Sequence, residues 1–483
     1  MQIALVGSVL GRLLMLFSVT MLTPLPVDLY YGGGSWPVFA LSFVAALAAG
    51  FVIWLPARRT VGELKLRDGF LIVASFWVVL GSFGALPLHF ALVPELSFTD
   101  AMFEAISGLT TTGATVLTGL DEMPRAILFY RQQLQWLGGL GIVVLAVAVL
   151  PMLGVGGMQL YRAETPGPMK DTRLTPRIKE TAKALWYIYC ALTVACGVAY
   201  YLAGMSIFDA ISHAFSTVAI GGFSTHDASF AYFPQTSIRL IAVAFMFLAG
   251  INFALHFIAF NRRSLSGYFR DAEFRAYAVA LVVLCALIVG GLLFYGWKED
   301  PSMALIDGLF QSVSIMTTTG FTTANFSLWP GILPMLLILS AFMGGCAGST
   351  AGGMKCVRVL LLVKQGIREV RRLVHPSAEI PVTLGATPIS TRVVDSVWGY
   401  FAVYVAVFIV ILIILQAAGL DSFTAFSAVA ATLNNLGPGL GDVATGYGGI
   451  GVTAKWACIV AMLLGRLEIF TFLVLLSPTF WRP

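Results

Sequence analysis

Apolar runs of about 20 residues, the length a helix needs to cross a bilayer, recur along this chain and decide what it can fold into. The first spans Ile3–Leu22, and others lie near 37–55, 69–90, 127–150, 185–204, 236–260, 272–296, 331–362, 392–418 and 453–478, giving ten expected spanning helices. Of the 483 residues, 58% are hydrophobic and 11% charged. Soluble domains carry about 25% charged residues, so most of that class is excluded. The first run contains Arg12 and leads into Pro24-Leu25-Pro26, not a small-residue cleavage site, so it reads as a retained helix. The fold class expected is an all-α polytopic membrane protein.

Charge gives the orientation. Arg58, Arg59, Lys65 and Arg67 share one side with Arg162, Lys170, Arg173, Arg177, Lys179 and Lys183. Arg262, Arg263, Arg270, Arg275, Lys355, Lys364, Arg368, Arg371, Arg372 and Arg392 follow on that same side. The opposite loops hold little beyond Arg125, Arg131, Arg239, Lys298 and Lys455. The positive-inside rule then places both termini in the cytoplasm. The net charge of +5 is explained by these loops, so the partner they indicate is the lipid bilayer and no nucleic acid. The six cysteines form no CxxC pair, and the five histidines are dispersed, with no HExxH or GxSxG motif. Neither a zinc site nor a disulfide framework is indicated, and the chain is not expected to be an enzyme.

Four outward loops are related. Aligned, they read FTDAMFEAISGLTTTGAT (98–115), FDAISHAFSTVAIGGFS (208–224), IDGLFQSVSIMTTTGFT (306–322) and FTAFSAVAATLNNLGPG (423–439). Each opens with a segment too short to span and reaches a glycine at one offset from Asp100, Asp209, Asp307 or Thr424: Gly113, Gly222, Gly320 and Gly437. A spanning helix flanks each unit on either side, so all four share an orientation and can close around an axis normal to the membrane. A half-length helix leaves its terminal carbonyls unpaired, which is tolerable only at a water-filled cavity, and its negative end favours a cation there. Glycine then lets the backbone turn carbonyls toward the axis, and four such turns make a ring that replaces the hydration shell of an alkali cation. Asp100, Asp209, Asp307 and Thr424 are expected to cap the short helices. Four residues on, Glu104, His213, Gln311 and Ala428 are expected to brace the ring from behind.

Two further features lie at membrane depth. Met343–Gly353 contains Gly344, Gly345, Gly348, Gly352 and Gly353, enough to break a helix. The run is either a flexible loop below the ring or a small-residue packing face. Lys355 then sits at the cytoplasmic mouth or snorkels. Arg466 lies inside the last apolar run, where a charge needs a pore or a partner; it is either a barrier to cations or one half of a structural pair. Asn252 and His256, one turn apart, read as hydrogen-bond partners between helices and not as ion ligands.

At these residues the chain resembles the Trk/Ktr/HKT superfamily of K⁺ transporters over its whole length. TTTGAT, AIGGFS, TTTGFT and NNLGPG stand where that family has its four filter sequences. The two extra N-terminal helices, within about 3–55, favour the subfamily of bacterial Trk uptake systems over KtrB. The resemblance implies four M1–pore-loop–M2 repeats around one pore, in a homodimer, with K⁺ as the transported and filter-bound ion and no organic cofactor. It also implies a cytoplasmic nucleotide-binding ring, TrkA, that gates the pore. Carried over, the ion-binding carbonyls come from Thr111, Thr112, Ile220, Gly221, Thr318, Thr319, Asn435 and Leu436, beside Gly113, Gly222, Gly320 and Gly437. Gly113, where Na⁺-carrying members can have serine, implies a preference for K⁺ and Rb⁺ over Na⁺. The gate falls on Gly344, Gly345, Gly348, Gly352, Gly353, Lys355 and Arg466. The expected domains are an N-terminal pair (1–62) and repeats at 63–165, 166–265, 266–378 and 379–483. The alternative, an ion-coupled transporter of an organic solute, calls for inverted repeats and membrane-depth acids.

Overall fold

The structure, a computed structural model, describes residues 2–60, 65–148, 174–297 and 300–482. Arg162, Lys170, Arg173, Lys298 and the expected boundaries at 62/63 and 165/166 fall outside the described residues. Among those residues the fold is helical, with one two-stranded sheet, Thr383–Leu384 against Thr387–Pro388.

Among the described residues six helices are long and apolar enough to cross a membrane: Ile3–Tyr31, Trp36–Ala57, Arg67–Phe90, Ala182–Leu202, Ala272–Phe294 and Thr391–Ala417. Two further apolar segments are bent helix pairs, Thr236–Ala249 with Phe253–Arg262 (94°) and Val452–Arg466 with Phe470–Leu476 (113°), which bring the total to eight if each pair is one span. Reading 236–260 and 453–478 as unbroken helices is therefore corrected. The first break occurs where Gly250 O accepts from Cys346 N at 2.9 Å and Asn252 caps the next helix through Ala254 N. At the second, Glu468 and Ile469 take φ of 55° and 50° and turn the chain aside. Arg125–Ala148 continues to the edge of the described residues, and the run 331–362 divides into Leu333–Ala341 and Cys356–Val374 around the glycine-rich loop.

Inside this frame lie four short helices, Phe98–Leu109, Ile207–Ala219, Pro301–Met316 and Ser422–Leu433. The longest has 16 residues, about 24 Å at ~1.5 Å per residue, short of the roughly 30 Å apolar layer. Small residues let the surrounding helices touch their inner ends. A Cβ on Gly138 would lie 1.8 Å from Leu109 O, and one on Gly465 would lie 2.1 Å from Leu433 O.

The expected caps are displaced, by three residues in the first, second and fourth short helices and by seven in the third. Ser97 and Ser206 cap the first two short helices, accepting from Asp100 N (3.1 Å) and Asp209 N (3.0 Å); Asp421 caps the fourth and Asp300 the third. Asp100 and Asp209 instead accept from their capping serines at 2.7 Å. Three of the shifted acids are also paired: Asp100 with Lys455 (2.6 Å), Asp209 with His226 (3.3 Å) and Asp307 with Arg239 (3.6 Å).

Candidate functional site

The four short helices end in one backbone motif. Thr111, Ile220, Thr318 and Asn435 take φ of 53°, 54°, 65° and 54°, and two residues later Gly113, Gly222, Gly320 and Gly437 take 81°, 83°, 84° and 95°. The N–H of the residue between each pair donates five residues back, from Thr112, Gly221, Thr319 and Leu436 to Ser107, Ser216, Ser314 and Ala431, each at 2.8 Å. This is a Schellman helix ending repeated four times. Alternating left- and right-handed residues put the N–H groups on one side of the chain and the carbonyls on the other. Because the N–H groups are spent on the helix end, the carbonyls face away from it.

These segments close on one another. A Cβ on Gly113 would stand 2.2 Å from Gly221 O, one on Gly222 2.0 Å from Thr319 O, one on Gly320 2.2 Å from Leu436 O, and one on Gly437 2.6 Å from Thr112 O. Each repeat thus abuts the next and the fourth returns to the first. All twelve residues assigned by resemblance lie in this ring and are buried apart from partial exposure of Gly113 and Gly222. On its outer side is a cavity of about 310 Å³ lined by the four glycines together with Arg131, His226 and Tyr447.

Behind the ring, the unequal side chains four residues past the shifted acids brace the returning strands. Glu104 accepts from Thr115 Oγ1 (3.0 Å) and Val116 N (3.1 Å) and is paired with Arg131 at 2.6 Å. His213 Nε2 meets Ser224 Oγ at 3.0 Å, and Gln311 donates to Phe321 O at 3.4 Å. Ala428 has no polar group, and its neighbour Ser427 takes over, donating to Leu440 O at 2.9 Å. The charge pattern of the sequence places Arg131 with the outward loops. It is instead 1% exposed, ion-paired with Glu104, and packed 4.2 Å from the Phe223 ring centroid. A second arginine only six residues after Arg125 was the available signal, but hydropathy alone left it on the surface.

Beneath the ring, Met343–Lys355 is an irregular loop with a specific seat. Gly353 N donates to Asn434 O (3.0 Å), Gly352 N to Thr318 Oγ1 (2.7 Å) and Thr350 Oγ1 to Val218 O (3.0 Å), linking it to the inner ends of three repeats. Gly344, Gly348 and Gly353 have φ of 65°, 73° and 72°, while Gly345 and Gly352 are held by close backbone neighbours. Glu273 accepts from Ala347 N (2.7 Å) and Val357 N (3.1 Å), fastening the loop at two points. Arg466 donates to Thr350 O (3.1 Å) and Gly138 O (3.4 Å), and Lys355 Nζ donates to Ala351 O. Among the described residues Arg466 pairs with no carboxylate, and Glu468 is taken by Arg358 at 2.5 Å. Asn252 serves as a helix cap, and His256 bonds Tyr268 Oη (2.7 Å) and Leu248 O (3.0 Å), so neither reaches the ring.

Comparison with known proteins agrees with this architecture. A family model described as "TrkH: Cation transport protein" matches residues 35–482. The Trk system potassium uptake protein TrkH of Vibrio parahaemolyticus is 58% identical, with 100% of both chains covered. The protein of that name from Escherichia coli K12 is 55% identical over 98% of each chain. The crystal structure of the potassium transporter TrkH from Vibrio parahaemolyticus superimposes with a TM-score of 0.94 at 55% identity, covering 100% of both chains. The chain is a multi-pass membrane protein and belongs to the TrkH family of cation transport proteins.

Proposed function

We propose that this protein carries K⁺ into the cell through the ring formed by Thr111–Gly113, Ile220–Gly222, Thr318–Gly320 and Asn435–Gly437. The observation that carries the reading is the cyclic contact of the four glycines with the next repeat's carbonyl, each on the same left-handed turn. A ring of carbonyls held by helix ends replaces an alkali ion's hydration shell without a charged ligand. Relatives named as potassium uptake proteins favour K⁺ as the ion.

The loop Met343–Lys355 acts as the gate. It lies under the ring, and Arg466 and Lys355 hold it through hydrogen bonds to its carbonyls while placing two positive charges on the cation's path. Family membership and the basic-loop asymmetry favour the bacterial plasma membrane with both termini cytoplasmic, a homodimer, and gating by a nucleotide-binding TrkA-type ring. The test is Rb⁺ uptake into liposomes holding the purified protein, alone and with that partner, against K⁺, Na⁺ and choline competitors. Uptake suppressed by K⁺ but not by Na⁺ is expected; no uptake in either setting would reject the proposal.

A further inference from the structure

One quarter of the ring is built from two repeats. The residue before the ring glycine is Thr112, Thr319 or Leu436 in three segments but Gly221 in the second. Gly221 is absent from the glycines with positive φ, whereas Gly113, Gly222, Gly320 and Gly437 all have it. Its backbone would therefore accept a side chain, and what forbids one is space. That space is filled by Gln135, on the Arg125–Ala148 helix of the preceding repeat. A Cβ on Gly221 would lie 2.3 Å from Gln135 Cδ and Oε1 and 2.9 Å from its Cβ.

Gln135 is fully buried, and both ends of its amide are engaged. Oε1 accepts from Ser216 Oγ at 2.6 Å and Phe223 N at 3.2 Å, which fixes which end is which. Nε2 donates to Gly221 O at 2.6 Å, the oxygen that faces Gly113 across the repeat boundary. Among the described residues no side-chain hydrogen bond of this kind is found on Thr112 O, Thr319 O or Leu436 O.

We infer that Gln135 is a specificity-determining positioning residue: it stands in for the missing side chain of the second segment and weakens one of four ring carbonyls. This rests on the ring being the ion filter. A carbonyl oxygen has two lone pairs, and one given to an N–H leaves a lower field for a cation. A lower field favours the larger, weakly hydrated ion, because Na⁺ gains most from a strong ligand and loses most when it is weakened. The second segment therefore tilts the ring toward K⁺ and Rb⁺.

Two variant sets test this in liposome flux, with permeability ratios read from reversal potentials. Gln135→Met keeps the bulk but removes the donor, and the K⁺/Na⁺ ratio is expected to fall by about tenfold, the worth of one hydrogen bond. Gly221→Ala should abolish uptake by collision, and Gly221→Ala with Gln135→Ala should restore it. A folded Gln135→Met protein with an unchanged ratio, or a folded double variant as inactive as Gly221→Ala, would overturn the inference. Absence of K⁺-selective flux in the unsubstituted protein would reject the filter reading itself, which keeps the two failures apart.

Discussion

Thr111, Ile220 and Thr318 hold left-handed backbone that β-branched residues resist, a strain of about 1–3 kcal/mol each. Their own helix ends and the packed ring impose it. This explains what could be read beforehand: the ring glycines stood out because glycine suits such turns, while the equally left-handed position two residues earlier carries threonine or isoleucine in three segments, and only Asn435 in the fourth is a residue that suits it. Gly113→Ser should lower the K⁺/Na⁺ permeability ratio, since a side chain there meets Gly221 O; an unchanged ratio would count against the assignment. Arg131→Met leaves Glu104 buried and unpaired, at a cost of about 3–5 kcal/mol. A marked drop in melting temperature is expected, largely reversed by adding Glu104→Gln. At the outer mouth, His226 meets Asp121 at 2.5 Å and Asp209 at 3.3 Å and stacks on Tyr232, with His213 beyond. Burial pulls its pKa down, but the hydrogen bonds to Asp209 and Asp121 outweigh this and raise it. A raised folded-state pKa stabilises fully below the unfolded value of about 6.5 and is lost as pH rises through the folded value. Melting temperature should therefore decline across that window, and His226→Ala should flatten the decline; identical profiles for both proteins would refute the clasp.

At the scale of elements, helix lengths and the glycine-rich break were legible from apolar runs and composition, whereas the two sharp bends were not. Both bends arise from tertiary partners: Gly250 gives its carbonyl to Cys346, and Glu468 turns to meet Arg358. In the first two short helices the cap falls three residues before the acid because an acid at the third helical position and a serine at the cap both suit a helix start, and the serine's hydroxyl wins the free N–H. In the third, Asp300 starts the helix seven residues before Asp307. If the loop is the gate, loosening its seat should open it. Arg466→Ala should raise Rb⁺ flux at equal protein amount, and Glu273→Ala should do the same by freeing Ala347 N and Val357 N. Unaltered or lower flux in folded protein would make these contacts structural only.

For the whole molecule, the fourfold arrangement was visible as a repeated offset to glycine, since equal spacing on equal helices leads to equal positions. What the offset did not reveal is how unequal the quarters are. The first is braced by a buried ion pair, the second by a histidine and a borrowed glutamine, the third by Gln311, and the fourth by Ser427. Of these contacts only the glutamine's joins two repeats, which no single repeat's sequence encodes; the others pair residues of one repeat that lie 10 to 27 positions apart. The most direct test of the central claim is anomalous diffraction from crystals of the protein grown in Rb⁺. Density is expected on the axis of the ring, level with the carbonyls of Thr112, Gly221, Thr319 and Leu436, and should be lost when Na⁺ replaces Rb⁺. No axial density in Rb⁺, with the ring otherwise intact, would contradict the account.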